Sequence, residues 1–127
     1  MTEALDILIE ARRLLSDKSH WTRHVYGRDS GGKSKHVTDS AACSFCSLGA
    51  VIKAGNTLLG SEFLGVGQVL EGSPAITAAL TLLRDSLPSG YAVNDSYFNV
   101  AALNDEQSHL EVLTLFDRAI DRAKADA

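Results

Sequence analysis

The distribution of apolar and polar residues predicts a mainly helical protein built around one buried segment. Residues 39–56 are almost all apolar or small, and Lys53 is the only charge after the first position of this segment. A helix that is apolar on every side belongs in a protein interior. We therefore expect a central helix over 39–56, with N-cap oxygens from residues 38–40 and an end at the Gly-Asn pair 55–56.

Three other segments show the spacing of an amphipathic helix, in which apolar residues recur every three or four positions. The first covers residues 3–17. The second begins at Ser73-Pro74, a capping hydroxyl followed by proline at the first helical position. The third begins at Ser108, where the sequence S-H-L-E has the form of a capping box. These segments predict a compact bundle of about four helices around the central one, in a single domain over 1–127.

Residues 21–37 have a different composition, which favours strands and turns. The run W-T-R-H-V-Y at 21–26 is rich in residues that favour strands, and the turn-forming sequence R-D-S-G-G-K-S-K follows it. We expect a small basic β-hairpin over about 21–37, with the Gly31-Gly32 pair in its turn. The glycine-rich stretch 57–72 favours a loop with one short helix, and 91–104 fits no single pattern.

Size and charge limit the classes of function. The chain has 127 residues, of which 45% are hydrophobic, so one domain can bury a substantial core. The formal net charge of −4 argues against nucleic-acid binding. There is no apolar run of about 18 residues, which a membrane span needs. The first residues lack the basic and apolar regions of a signal peptide. We therefore expect a cytoplasmic protein with reduced cysteines.

Positive charge is concentrated in the predicted hairpin. Between Lys18 and His36 there are five lysines and arginines against the single acid Asp29, while the remainder of the chain is acidic. A basic element on an acidic body is suited to an anionic partner, although a solvated loop has the same composition. The only tryptophan lies beside it, either as a plug on the core or as an interface anchor. The candidate binding residues are Trp21, Arg23, Arg28, Lys33 and Lys35.

Residues 27–34 match the phosphate-loop string G-x-x-x-x-G-K-[ST]. In a nucleotide-binding loop, backbone N–H groups surround the phosphates, a buried strand comes before the loop, and a helix starts at its lysine. Here the preceding run 20–26 is too polar for a buried strand, and the next helix after the string is not expected before about Thr38. Nucleotide binding is therefore only a third hypothesis.

The cysteines and two histidines offer a second hypothesis. Cys43 and Cys46, together with His20 and His24, have the residue types of a tetrahedral zinc site. The Cys-x-x-Cys pair could also be redox-active if it lay at an exposed helix N-terminus. However, Cys46 stands in a strongly apolar segment, where free cysteine is commonly part of the core.

Four short motifs follow one another along the chain. They are Trp21-Thr22, Arg28-Asp29-Ser30-Gly31-Gly32, the F-C-x-x-G-A sequence of 45–50, and Asn104-Asp105, with a closing helix over 112–123 after them. In this order they resemble a family of small uncharacterised bacterial and phage domains, a domain of unknown function. The resemblance extends from about residue 21 to 123, and F-C-x-x-G-A is its most distinctive motif.

Two positions depart from the pattern of that family. A tryptophan usually precedes the Asn-Asp pair, where this chain has Leu103. Cys43 is not part of the pattern, which weakens the zinc and redox hypotheses because both need it. The resemblance implies no assigned chemistry. The presence of the family on phages implies an accessory role, including interference with host defence, and this is an association rather than a mechanism.

We therefore expect a small non-catalytic interaction protein with no cofactor and no metal. It would bind a protein partner or a small anionic ligand through the basic loop, and the sequence leaves homo-oligomerisation open. The alternative is a zinc-binding or cysteine-based protein or enzyme that uses Cys43, Cys46, His20 and His24. The expectation depends on Cys46 lying in the dry interior, away from any histidine or ion.

Overall fold

The computed structural model describes residues 3–126, which form six α-helices and one two-stranded sheet. A short 3₁₀ turn covers Lys18–His20. The elements, in chain order, are α1 (Glu3–Leu15), β1 (Gly27–Arg28), β2 (Ser44–Phe45), α2 (Ser47–Leu59), α3 (Val66–Gly72), α4 (Pro74–Asp85), α5 (Phe98–Glu106) and α6 (His109–Ala125). The prediction of a mainly helical protein is confirmed. The four predicted helices correspond to α1, α2, α4 and α6, and α3 and α5 are two shorter helices.

Helix α2 is the buried element of the fold. It packs against α1, α3, α4 and α5, and the first turns of the helix are almost entirely enclosed. Two glycines permit the close approach of its neighbours. A Cβ at Gly49 would collide with the backbone carbonyl of Tyr26, and a Cβ at Gly55 would collide with the Ile76 side chain of α4. The small residues of this segment therefore set how tightly the loop and α4 close on the central helix.

The predicted bounds of the central helix, 39–56, are wrong at both ends. The helix begins at Ser47, with the Cys46 thiol as the N-cap acceptor for the Gly49 N–H. It starts late because residues 44–46 are held in an extended conformation by pairing with residues 26–28. It ends at Leu59, where Gly60 adopts the left-handed conformation with φ of 67°.

A small antiparallel pair of strands is present as predicted, but the predicted bounds of 21–37 are wrong. Strand β1 pairs antiparallel with β2, with Gly27 opposite Phe45 and Arg28 opposite Ser44. Within 21–37, a single bridge from Arg28 to Ser34 joins the two sides of the expected turn. Pairing with β2 buries Phe45, whereas the 34–36 side is polar and gains little from a sheet position.

The starts of two helices agree with their sequence signals. The Ser73 hydroxyl accepts the Ile76 N–H at the start of α4, and Pro74 occupies the first helical position. The Ser108 hydroxyl accepts the Glu111 N–H at the start of α6. Both caps satisfy backbone donors that the first turn of a helix leaves without partners.

Across residues 3–126, no helix has the length and apolar character that a membrane span requires.

Candidate functional site

The basic loop, residues 21–37, is joined to the helical core by the side-chain amide of Asn104 on α5. This amide is completely buried. Its Oδ1 accepts hydrogen bonds from Trp21 Nε1 at 2.8 Å, from the Ser47 N–H at 3.0 Å and from Ser47 Oγ at 2.8 Å. Its Nδ2 donates to the Thr22 carbonyl at 3.0 Å and to Asp105 Oδ1 at 3.1 Å. One amide thus connects the Trp-Thr motif, the first residue of α2 and the Asn-Asp motif.

Trp21 is a half-buried support for the loop. Its N–H is used by Asn104, one face of its ring carries the Arg23 guanidinium at 4.7 Å, and the His109 ring lies 5.4 Å away. A tryptophan whose N–H is paired within the molecule can bury its ring without loss. These contacts agree with the plug alternative for Trp21.

Arg23 fastens the same segment to the end of α5. Its Nη2 donates to the Gln107 carbonyl at 2.5 Å and its Nε to the Asn104 carbonyl at 3.3 Å. These carbonyls lie at the C-terminal end of the helix, where the last C=O groups have no helical partner and a cation is favoured.

Arg28 holds the basic loop together from inside. Its guanidinium donates to Thr22 Oγ1 at 2.9 Å, to the Gly32 carbonyl at 3.0 Å and to the Arg23 carbonyl at 3.2 Å. The planar fork of arginine is well suited to bridging several carbonyls. The Arg28 guanidinium therefore serves mainly to hold the conformation of the loop.

The phosphate-loop string forms a turn that is closed by its own carboxylate. Asp29 Oδ1 accepts the N–H groups of Gly31 at 3.0 Å and Lys33 at 2.9 Å, and Gly32 has φ of +84°. The hydrogen bond from Lys33 lowers the pKa of the Asp29 carboxyl, with a smaller effect from Gly31. In a nucleotide-binding loop, such N–H groups face phosphate and a helix starts at the lysine. Here Asp29 occupies these donors, and the next helix after Lys33 begins only at Ser47.

The two lysines of the loop are placed differently from its arginines. Among the hydrogen bonds and ion pairs of residues 3–126, none involves the side chain of Lys33 or Lys35. Lys33 is exposed, and Lys35 lines an open depression of about 490 Å³ together with Val25, Tyr26, Ser34, His36 and Asp39. The loop therefore presents lysine charge outward and uses arginine charge inward.

A second hollow, which we call the Cys46 cleft, shares the lining residues Val25 and Tyr26 with this depression. Its volume is about 180 Å³. Its polar lining residues are His24, Cys46 and Asp105, and its apolar walls are Val25, Tyr26, Leu48, Phe98 and Ala101. Cys46 is only 5% exposed, so the prediction of a buried thiol is confirmed. The expectation that it lies away from any histidine is wrong, because His24 lines the same cleft.

The geometry around Cys46 favours a neutral thiol. Burial raises the pKa of this thiol to about 11, a larger effect than the opposing hydrogen bonds from the Gly49 and Leu48 N–H groups. The negative charge of Asp105 acts in the same direction as burial. Because the thiolate is the reactive form of cysteine, a thiol of this kind is a poor nucleophile at neutral pH.

His24 and Asp105 form a pair at the mouth of the cleft. His24 has φ of 74°, an uncommon conformation for a residue with a side chain, and its N–H donates to Asp105 Oδ1 at 2.9 Å. Its ring Nδ1 lies 3.4 Å from Asp105 Oδ2. Asp105 thereby fixes the backbone at 24 and orients the imidazole.

The four residues of the zinc hypothesis do not come together as a site. Cys46 and His24 line the cleft, whereas Cys43 and His20 are exposed elsewhere on the surface. Within the described part of the chain, no three or more His, Cys, Asp or Glu side chains are grouped so that they could hold a metal ion. This arrangement gives the zinc alternative no support.

Sequence reasoning missed the roles of Asn104, Asp105 and Phe98. The sequence pattern assigns the Asn-Asp pair no structural role, yet its side chains hold residues 21–24 and 47. The signal that could have identified it was the occurrence of the Asn-Asp and Trp-Thr motifs together in one family pattern. Phe98 lies in a segment for which the periodicity gave no prediction, so nothing marked its position on the cleft.

The model of a family described as a family of unknown function (DUF6197) matches residues 1–122. No curated protein and no solved structure matches the chain.

Proposed function

Because the chain belongs to DUF6197, a family whose function is unknown, we propose its function from the geometry: it is a small non-catalytic binding protein that recognises an anionic group of a protein partner through Lys33 and Lys35. The observation that carries the proposal is the different use of arginine and lysine side chains in the basic loop. Arg23 and Arg28 donate their N–H groups to backbone and side-chain oxygens of the protein itself, whereas the two lysine side chains have no such partner in residues 3–126.

The rigidity of the loop supports a binding role. Arg28 joins Thr22, near the start of the loop, to Gly32 in its turn, and the Asp29 carboxylate closes that turn. A preformed loop loses little conformational freedom when a partner binds, so more of the contact energy appears as affinity. The lysines contribute electrostatic attraction, which acts mainly on the rate of association and on specificity. The binding should therefore weaken with increasing salt.

The five residues predicted as a site divide into two groups in this proposal. Trp21, Arg23 and Arg28 position the loop, and Lys33 and Lys35 contact the partner. The resemblance to domains carried by phages favours a host protein as that partner, and hence an accessory or anti-defence role in the cytoplasm.

The test uses a charge-reversal variant and a fluorescent hexaglutamate peptide as the probe. In Lys33→Glu/Lys35→Glu, we expect the affinity measured by fluorescence anisotropy to fall about tenfold or more at low salt, because two attractive charges become repulsive. The matched control is Arg118→Glu/Lys124→Glu on α6, which changes the net charge equally at two exposed positions. Equal affinity in the wild type and both variants, or no binding by the wild type, would contradict the proposal.

A second candidate function, thiol chemistry at Cys46, has one favouring observation: His24, oriented by Asp105, lines the same cleft. A nucleophilic cysteine needs a nearby base and a thiolate at working pH. Burial of the thiol opposes this requirement. Rapid alkylation of Cys46 by iodoacetamide at pH 7, lost on His24→Ala, would support this candidate. A lack of alkylation under native conditions would remove it.

A further inference from the structure

The Cys46 cleft has no role in the function proposed above. We infer that this cleft receives one large apolar side chain from the same acidic polypeptide that contacts Lys33 and Lys35. The inference rests on the proposed function and adds the chemical class of the partner, an acidic peptide segment with an apolar anchor residue.

The walls of the cleft are suited to an apolar side chain. Leu48, Ala101 and Val25 contribute aliphatic surface, and the Phe98 ring stands at the cleft with 58% of the residue exposed. A volume of about 180 Å³ is small for a drug-sized ligand but is of the scale of a single side chain. An exposed aromatic residue beside a small pocket is a common form of anchor site in protein interfaces.

The polar groups of the cleft do not demand a charged ligand. The Asp105 carboxylate already accepts hydrogen bonds from the His24 N–H and from Asn104 Nδ2, and the His24 imidazole lies 3.4 Å from it. The Cys46 thiol accepts the Gly49 N–H. An apolar side chain could therefore fill the space without leaving a buried polar group unpaired, which is the usual cost of such a contact.

The cleft and the lysine depression are adjacent, because they share two lining residues. Val25 and Tyr26 line both, so they form a wall with apolar surface on one side and Lys35 and His36 on the other. An extended peptide that crosses this wall would place an apolar residue in the cleft and an acidic residue near Lys35. Extended peptides are often recognised in this way, with pockets for particular side chains.

The charge of the surroundings favours a polypeptide over a nucleic acid. Asp39 lines the depression and Asp105 lines the cleft. The whole chain carries a formal charge of −4. Nucleic-acid binding depends on many phosphate contacts to a basic surface, and two lysines flanked by these carboxylates provide few. A peptide with few acidic residues and one apolar residue fits this pattern better.

The experiment uses two series of fluorescent peptides. Each peptide has three glutamates, a spacer of none to four glycines, and either phenylalanine or alanine after the spacer. For at least one spacer length, we expect the phenylalanine peptide to bind the wild type about tenfold more tightly than the alanine peptide, as burial of one aromatic side chain implies. Equal affinity of the two series at every spacer length would overturn the inference.

Two variants test whether the added affinity arises in the cleft. Phe98→Ala removes an exposed wall, and Ala101→Leu fills part of the space; in both, the preference for phenylalanine should fall to about twofold or less. Leu110→Ala, at a leucine that is 69% exposed and does not line the cleft, should keep the full preference. An undiminished preference in Phe98→Ala would place the anchor elsewhere and overturn the inference.

The outcomes separate the two proposals. If hexaglutamate fails to bind the wild type, the proposed function fails. If hexaglutamate binds but phenylalanine adds nothing, only the anchor in the cleft is refuted. Self-association of the wild type in sedimentation experiments, abolished by Phe98→Ala, would show that the occupant is a second copy of the chain and would also overturn the inference.

Discussion

Replacement of Asn104 by alanine should be among the most destabilising single substitutions in this protein. The Asn104 side chain is completely buried and takes part in five hydrogen bonds. Alanine would leave the Ser47 N–H inside the protein and the Trp21 indole N–H without their acceptor. It would also remove the donor to the Thr22 carbonyl, so residues 21–22 and the start of α2 would both lose their common partner.

The size of the effect follows from the groups left without partners. A buried polar group that loses its partner lowers the free energy of unfolding by about 1–3 kcal/mol. Two N–H groups without an acceptor therefore lower it by about 2–6 kcal/mol. The Ser47 hydroxyl can rotate toward another acceptor, so we count nothing for it. We expect a loss of about 4 kcal/mol in the free energy of unfolding, a large part of the 5–15 kcal/mol that is usual for a domain.

Urea unfolding followed by circular dichroism measures this loss. With a slope of about 2 kcal/mol per M, a typical value for a small protein, the midpoint should fall by about 2 M. Asn99→Ala on the same helix is the matched control. Its amide donates to the Val93 carbonyl in an exposed setting, and we expect a loss below about 1 kcal/mol.

A double-mutant cycle isolates the bond to the indole. Trp21→Phe keeps an aromatic ring but lacks the N–H that Asn104 accepts. In the Asn104→Ala background, Trp21→Phe should cost less than in the wild type by about 1 kcal/mol or more, because the bond is already absent. Strict additivity of the two changes, or a loss below about 1 kcal/mol for Asn104→Ala, would refute the view that this amide joins the loop to the core.

Two further predictions concern glycine packing and the buried thiol. Gly49→Ala should unfold the protein or cost more than about 3 kcal/mol, since its Cβ would collide with the Tyr26 carbonyl. The control Gly67→Ala meets open space within α3 and should be neutral or stabilising by up to about 1 kcal/mol in thermal unfolding; equal losses would contradict this account. The pKa of Cys46 is raised from its ordinary 9.0 to about 11 in the folded protein, so its contribution to stability is complete below pH 9 and is lost as pH rises through 11. At 1.36 kcal/mol per pKa unit this is at most about 2.7 kcal/mol, measured as the difference in pH dependence between the wild type and Cys46→Ala; parallel curves would argue against it.

The features that the sequence could predict are those determined by residues close to one another along the chain. The starts of α4 and α6 are fixed by Ser73 and Ser108, which cap the N–H groups three residues later. Capping and the spacing of apolar residues act within one or two turns, so a single sequence contains them completely. The mainly helical fold was predictable for the same reason.

The start of α2 depends on contacts that are distant along the chain. Residues 38–40 offered reasonable caps, and Asp39 does accept the Ala41 N–H. Yet residues 44–46 are drawn into extended pairing with 26–28, so the helix cannot begin until Ser47. Tertiary pairing of this kind overrides local helix signals and leaves no periodic trace in the sequence.

The candidate site also combines a feature that the sequence indicates with features that only the structure shows. Counting charges along the sequence singles out a basic loop, but a count treats Arg23, Arg28, Lys33 and Lys35 alike. Only the structure shows that the arginines donate to backbone oxygens, whereas the lysine side chains make no such contact in residues 3–126. The Cys46 cleft is formed by residues from three distant segments, so its existence could not be predicted from any one of them.

The bond between Trp21 and Asn104 joins positions that are 83 residues apart. During synthesis on a ribosome, the tryptophan and the first turn of α2 emerge long before the amide that will satisfy them. A nascent or truncated chain that stops short of α5 therefore keeps these donors open to water and its loop detached. Completion of the chain is thus coupled to closure of the basic loop, and incomplete products would remain accessible to cellular proteases.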